Sequence, residues 1–281
     1  MALENAVASL IVRANENLKV LDGDYFDEHG LLMCGKCNTP KQTIIEMPYG
    51  KQIVCCMCKC QTEKFNAVHE KLRWENRLDD LRAKCYPDPV ELREEYLKMT
   101  LENDDGSNPE LRKAVTTYID GFDGYCAKGV GVLFHGRTGR GKTYRMCQIL
   151  NALMDEGRTA KFTSFTAIGN ELMEIKYGRQ DYLNSYARFD VLAIDDLDEE
   201  RNTEFMQSVV YSVIDARVTS RKPLLLTTNL SGADMAAEQD ISKRRVYSRI
   251  YEACIPIEVK GPDKRLEKLK TRKTQFTELT L

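Results

Sequence analysis

The sequence lacks long apolar runs. None approaches the roughly 18 consecutive residues that a membrane span needs, which excludes a membrane bundle. Glycine and proline are sparse, 17 and 8 in 281 residues, which excludes collagen and Pro/Gly-rich low complexity. Neither charge is in surplus: 41 lysines and arginines stand against 43 aspartates and glutamates, a net of −2. Indiscriminate attraction to nucleic acid or to an anionic membrane is therefore not indicated, and any such contact must use a local patch. The N-terminal residues show no basic stretch leading into an apolar one, so no secretory signal is expected. The reducing cytoplasm is the expected compartment. No internal repeat is visible.

What the chain does have is cysteine in one place. Six of its ten cysteines lie between Cys34 and Cys60. In a reducing compartment such a cluster reads as metal ligation rather than disulfides. Cys34-x-x-Cys37 has the form of a zinc knuckle, with Gly35 easing the turn. The second half is overdetermined, because Cys55, Cys56, Cys58 and Cys60 all offer thiols; spacing alone favours Cys55 with Cys58. A module this short, with few large apolar groups, cannot order itself unaided. Zn²⁺ held by four thiolates would offset that deficit.

Length predicts two domains. Residues 1–22 carry a helical apolar pattern, and residues 25–62 read as short strands and turns around the cysteines. A helix over about 63–85 follows, with Phe65, Val68, Leu72, Leu78, Leu81 and Cys85 as its stripe and Trp74 off it. Trp74 packs on the cysteine module or anchors a partner. The polar, acidic segment 101–109 reads as a linker, dividing a domain over 1–100 from one over 110–281. In the second domain strands alternate with helices: strands near 130–134, 160–165, 190–194, 224–228 and 255–259, and helices near 109–121, 142–156, 167–177, 202–220 and 242–252. The expected fold is α/β, a parallel sheet flanked by helices.

Gly136-Arg137-Thr138-Gly139-Arg140-Gly141-Lys142-Thr143 matches G-x-x-x-x-G-K-[ST] in full, after an apolar strand and before a helix. The glycines let successive backbone N–H groups face phosphates, and the helix start adds its positive dipole end. Lys142 is expected to reach the β- and γ-phosphates of ATP, and Thr143 to ligate Mg²⁺. Val191–Ile194 is a buried strand ending in Asp195 and Asp196. Asp195 is the expected Mg²⁺-shell carboxylate, and Asp196 the group that polarises the attacking water. A third strand ends at Thr228 and Asn229, where the amide would orient water beside the γ-phosphate. Basic residues cluster at Lys243, Arg244, Arg245 and Arg249, and again at Lys264, Arg265, Lys268, Lys270, Arg272 and Lys273; such patches can follow a single-strand backbone.

Together these residues resemble the AAA+ ATPases, and more closely the DnaC/DnaI-type helicase loaders with their relative, the IstB transposition helper. The resemblance runs over essentially the whole chain and is nearest to phage or mobile-element members with an N-terminal cysteine module. Ile194-Asp195-Asp196-Leu197 resembles the family's signature, where the general AAA+ pattern would place Glu at 196. The Arg245–Arg249 segment is similar to the family's R-x-x-x-R, which implies Arg249 as an arginine finger acting on a neighbouring subunit's nucleotide. The resemblance favours Cys58 and Cys60 as the second zinc pair, with Cys55 and Cys56 as alternates. It implies an ATPase that self-associates, grips a replicative DnaB-type helicase through residues 1–100 and loads it on single-stranded DNA, with no membrane partner. The alternatives are an IstB-like ATPase helper of a DNA transposase and a non-catalytic zinc adaptor.

Overall fold

The computed structural model describes residues 11, 13, 18–48, 50–87, 89–198, 203–267, 269 and 272. The chain divides into two compact units, Met1–Asn76 and Arg77–Leu281. Most of the helix expected over 1–22, and Lys268, Lys270 and Lys273 of the expected basic patch, lie outside the described residues.

In the first unit, β1 (Tyr25–Phe26) pairs antiparallel with β2 (Leu32–Met33), and β3 (Gln42–Met47) with β4 (Gly50–Cys55). Helix α1 (Lys59–Cys85) then runs across the boundary between the units. The apolar pattern of α1 is two stripes rather than one. Trp74, Leu78, Leu81 and Cys85, spaced four, three and four apart, share a face. Leu81 and Cys85 on that face are buried in the second unit's core. Phe65, Val68 and Leu72 fall on the opposite face and are about half exposed, as is Trp74 at 40%.

The second unit is built on a five-stranded parallel sheet, order β6-β7-β8-β5-β9. Its strands are β5 (Gly131–His135), β6 (Ala160–Ser164), β7 (Val191–Asp195), β8 (Leu224–Thr228) and β9 (Cys254–Glu258). The strands alternate two apolar sets: Val132, Phe134, Val191, Ala193 and Leu225 enter one core, Leu133, Leu192, Ile194, Leu224 and Leu226 the other. Both faces are therefore covered by helices, as a parallel sheet requires. The helices are α2 (Val90–Leu97), α3 (Pro109–Asp120), α4 (Phe122–Lys128), α5 (Lys142–Asp155), α6 (Phe165–Glu174), α7 (Arg179–Ser185), α8 (Glu204–Thr219), α9 (Gly232–Ala236) and α10 (Ile241–Ala253). Their starts follow the local chemistry: Asn108, Ser164, Thr203, Ser231 and Asp240 each accept a first-turn backbone N–H. Among the described residues no helix is long and apolar enough to cross a membrane.

The unit boundary does not fall at 101–109. The stretch 96–104, which overlaps that segment, is held to α5 by Arg145, Gln148 and Asn151, spaced three residues apart. Arg145 pairs with Asp104, and Gln148 donates to Thr100 O (2.9 Å) and Asp104 Oδ2 (2.9 Å). Asn151 donates to Tyr96 O and Met99 O, both at 2.9 Å, and accepts from the Tyr86 hydroxyl at 2.8 Å. One acidic side chain of the apparent linker, Asp104, is thereby buried against α5, and the remaining acceptors are main-chain carbonyls.

Candidate functional site

The phosphate loop connects β5 to α5, and three of its glycines, Gly136, Gly139 and Gly141, take positive φ. Gly139 is constrained from outside as well: a Cβ there would lie 2.2 Å from Asp263 Oδ1. The segment after β9 returns over the loop, with Lys264 N donating to Gly139 O at 2.9 Å and the Arg140 guanidinium donating to Gly261 O. Lys264 Nζ reaches back to Asp105 Oδ2 (2.5 Å) and Ser107 Oγ (2.8 Å). A cavity of about 520 Å³ results, lined by the loop, Asp196, Asn229 and Arg265 among others. Sequence reasoning did not identify the 261–265 wall; the signal was glycine and proline (Gly261, Pro262) just after the last strand.

Inside the cavity Lys142 is buried, its Nζ donating to Gly136 O (2.9 Å), Arg137 O (3.3 Å) and Asn229 Oδ1 (2.7 Å). Burial lowers its pKa from the ordinary lysine value. Thr138 Oγ1 also donates to Asn229 Oδ1, at 3.1 Å. Thr143 Oγ1 donates to the Asp195 carboxylate, 3.0 Å from each oxygen. The tips of β5, β7 and β8 thus bring Lys142, Thr143, Asp195 and Asn229 together around one point.

Thr227 links the two carboxylate positions. Its hydroxyl donates to Asp195 Oδ1 at 2.5 Å and accepts Asp196 N–H at 2.8 Å. Asp196 takes the left-handed backbone, φ 53°, which a non-glycine residue adopts at some cost. Asp198, unnoticed in the sequence, accepts Thr228 Oγ1 (2.7 Å) and Asn229 N (2.9 Å) and so sets the Asn229 backbone.

Burial raises the Asp195 carboxyl to about 6; the hydroxyls of Thr227 and Thr143 and the Lys142 charge oppose this, and Asp196 adds to it. The folded value lies above the ordinary carboxylate value, so the folded state holds this proton between about pH 4 and pH 6. Stability from this group is greatest below that window and is lost as pH rises through it. A divalent cation held there would need the ionised form, so binding of Mg²⁺ with nucleotide is expected to strengthen over the same range. The affinity is expected to gain about tenfold from about pH 5 to pH 7 beyond the nucleotide's own titration. Calorimetric titration of the parent and of Asp195→Asn checks this; superimposable profiles would exclude it.

Arg249 does not line this cavity. On α10 it is partly exposed and pairs with Asp215 Oδ1 and Glu252 Oε2, each at 3.0 Å. Arg244, Arg245, Arg265 and Arg272 are exposed, while Lys243 and Lys264 are partly buried.

In the first unit the sulfurs of Cys34, Cys37, Cys58 and Cys60 lie within 4.8 Å of one another. Cys34 and Cys60 are 3.7 Å apart, and Cys58 and Cys60 3.4 Å. A tetrahedron of Zn–S bonds of about 2.3 Å separates sulfurs by about 3.8 Å, so the donor set and spacing fit zinc. Cys55 and Cys56 are not in the cluster because the hairpin takes them: Cys55 stands opposite Gln42 in the ladder, and Cys56 N bonds Lys41 O at 2.8 Å. Cys58 and Cys60 enter α1 instead, Cys58 as its cap with Gln61 reaching back to its N–H at 3.2 Å. Gly35 in the knuckle admits no side chain, since a Cβ would lie 1.9 Å from Gly23 O. Backbone N–H groups lower Cys34, and the Thr39 hydroxyl brings Cys37 to about 6. Hydrogen bonding to Cys58, burial and the other thiols push Cys60 up to about 12. A divalent cation at the centre reverses that resistance to ionisation.

A family model described as RNA helicase matches residues 132–229, the span from β5 to Asn229. The replicative helicase loader DnaI of Bacillus subtilis is 23% identical over 217 residues, covering 70% of this chain and 67% of the relative. A putative insertion sequence ATP-binding protein of Sinorhizobium fredii is 29% identical over 123 residues, covering 43% of this chain and 41% of the relative. The matches therefore span from two fifths to two thirds of these relatives. The crystal structure of a DnaC helicase loader superposes with a TM-score of 0.51 at 22% identity, over 59% of this chain and 99% of the other. The chain resembles the DnaC/DnaI-type loaders, and its second unit has their AAA+ P-loop fold.

Proposed function

We propose that this chain is an ATP-dependent loader of a replicative DnaB-type helicase onto single-stranded DNA. The observation that carries the reading is the convergence of Lys142, Thr143, Asp196 and Asn229 on one cavity of the loader-type sheet, with Asp195 bonded to Thr143. Backbone N–H groups of residues 136–143 and the Lys142 ammonium bind the ATP phosphates. Thr143 and Asp195 would hold Mg²⁺, which would supply charge neutralisation to the phosphates. Asp196 accepts the proton of the attacking water, and Asn229, held by Lys142 and Asp198, orients it. Arg249 projects from α10 into a neighbour's site, so turnover requires self-association. The first unit, ordered by zinc, grips the helicase.

The test uses the full chain with a DnaB-type helicase and single-stranded DNA, reading ATP turnover and assembly together. Both ligands are expected to change turnover, and Arg249→Ala to lower turnover in the assembled state by about 10³-fold while leaving nucleotide affinity intact. Indifference to both ligands would overturn helicase loading. The insertion-sequence relative supports a second reading, an ATPase helper of a transposase. Preference for duplex over single-stranded DNA in a salt-matched competition would favour it.

A further inference from the structure

The cysteine module buries one charged pair. The side chains of Lys41 and Asp24 are 1% and 3% exposed, with the ammonium on Asp24 Oδ2. Among the described residues of this unit, the side chains of Lys41 and Asp24 share the interior with only three other buried residues, Leu32, Cys34 and Cys58. A charged pair is thus as central to the module as any apolar group, which is costly unless something further stabilises it.

Lys41 is tied by its backbone to both halves of the ligand set. Its N–H donates to Leu32 O at 2.7 Å, two residues before Cys34, and its carbonyl accepts Cys56 N–H at 2.8 Å, two residues before Cys58. Two of the four thiols, Cys34 and Cys58, are buried as Lys41 is. Asp24 is the more fully occupied partner: besides Lys41 it accepts Leu21 N at 2.8 Å and Gly35 N at 3.1 Å. The ammonium has three donor hydrogens, and Asp24 is one acceptor group. Four thiolates around Zn²⁺ carry a net charge of −2, and a buried centre of that charge is stabilised by a cation fixed beside it.

We infer that Lys41 is the built-in counter-cation of the zinc–tetrathiolate centre. This rests on the four-thiolate zinc reading. Lys41 acts through the centre, so it is a positioning residue of the metal site.

The test is competition for zinc between the full-length protein and a chromophoric chelator, for the parent, Lys41→Met, Lys41→Arg and Asp24→Asn. Substitution with Co²⁺ reports in each case whether four thiolates still bind. Lys41→Met is expected to keep the tetrathiolate spectrum but lose zinc affinity by about 10–100-fold, the range for groups that support metal ligands. Lys41→Arg is expected to restore most of it. Asp24→Asn keeps the acceptor for Gly35 and removes the competing negative charge, so its zinc affinity is expected to stay level or rise. Opposite signs for Lys41→Met and Asp24→Asn separate charge compensation from a merely structural pair, whose two losses would weaken zinc alike. Equal losses, or no loss in Lys41→Met, would overturn the inference. A parent protein without zinc would overturn the metal reading itself, a result visible before any variant is compared.

Discussion

Lys142→Ala is expected to abolish ATP turnover while leaving the second unit folded. The ammonium it removes is buried and already engaged with Gly136 O, Arg137 O and Asn229 Oδ1. A unit charge about 4 Å from a phosphate oxygen contributes about 4 kcal/mol at an effective dielectric of 20. That corresponds to about a thousandfold in nucleotide affinity and rate together. The fold has no comparable stake in this residue, because burial of the ammonium opposes its charged form. The melting temperature without nucleotide is expected to stay level or rise, and the nucleotide-induced increase to vanish. Steady-state turnover and thermal melts check both halves. Turnover within tenfold of the parent would exclude the P-loop chemistry and favour a non-catalytic adaptor.

Removal of zinc is expected to unfold the first unit's cysteine module and leave the second unit's nucleotide site working. Its few buried side chains give at most several kcal/mol of apolar burial. Structural zinc sites supply about 10–16 kcal/mol of apparent binding free energy. The metal term is therefore the larger by a clear margin, and the β3–β4 hairpin has little else to hold it to α1. Amide hydrogen exchange after chelation is expected to lose protection over β1 to β4 and to keep it over β5 to β9. Cys58→Ser should reproduce the loss, whereas Cys55→Ser should bind zinc as the parent does. Less than half a zinc per chain in protein purified without chelator, or protection that survives chelation, would refute the structural role.

The phosphate loop, Asp195, Asp196 and Asn229 were legible because each sits at the end of an apolar strand, where spacing along the chain translates directly into position. The parallel sheet was legible for the same reason: strand and helix periods alternate after Pro109, with only the short helices α4, α7 and α9 added. Other features could not be read from spacing alone. The choice of Cys58 and Cys60 over Cys55 depends on a hairpin register that ties Cys55 to Gln42, and spacing rules carry no register. The contact of 96–104 with α5 depends on Arg145, Gln148 and Asn151, some forty positions later, whose polarity reads as ordinary helix surface until the partner is known. The stripe of α1 divides because its two ends face different surroundings. A single periodicity count merges Phe65, Val68 and Leu72 with Leu78, Leu81 and Cys85, and leaves out Trp74, which shares the face of the second group.

The wall over the phosphate loop also sets an order of events during synthesis. Arg140 meets Gly261 across 121 positions of chain, and Gly139 meets the Lys264 backbone over a comparable span. A ribosome that has already delivered the whole G-x-x-x-x-G-K-T motif must therefore add the remaining sheet before the loop acquires its outer side. Domains fold as units while the chain emerges, and here the phosphate loop is an earlier product than the wall that closes its pocket. A nascent chain carries every phosphate-binding residue well before it can close around a nucleotide, so ATP capture marks a chain whose last strand is in place.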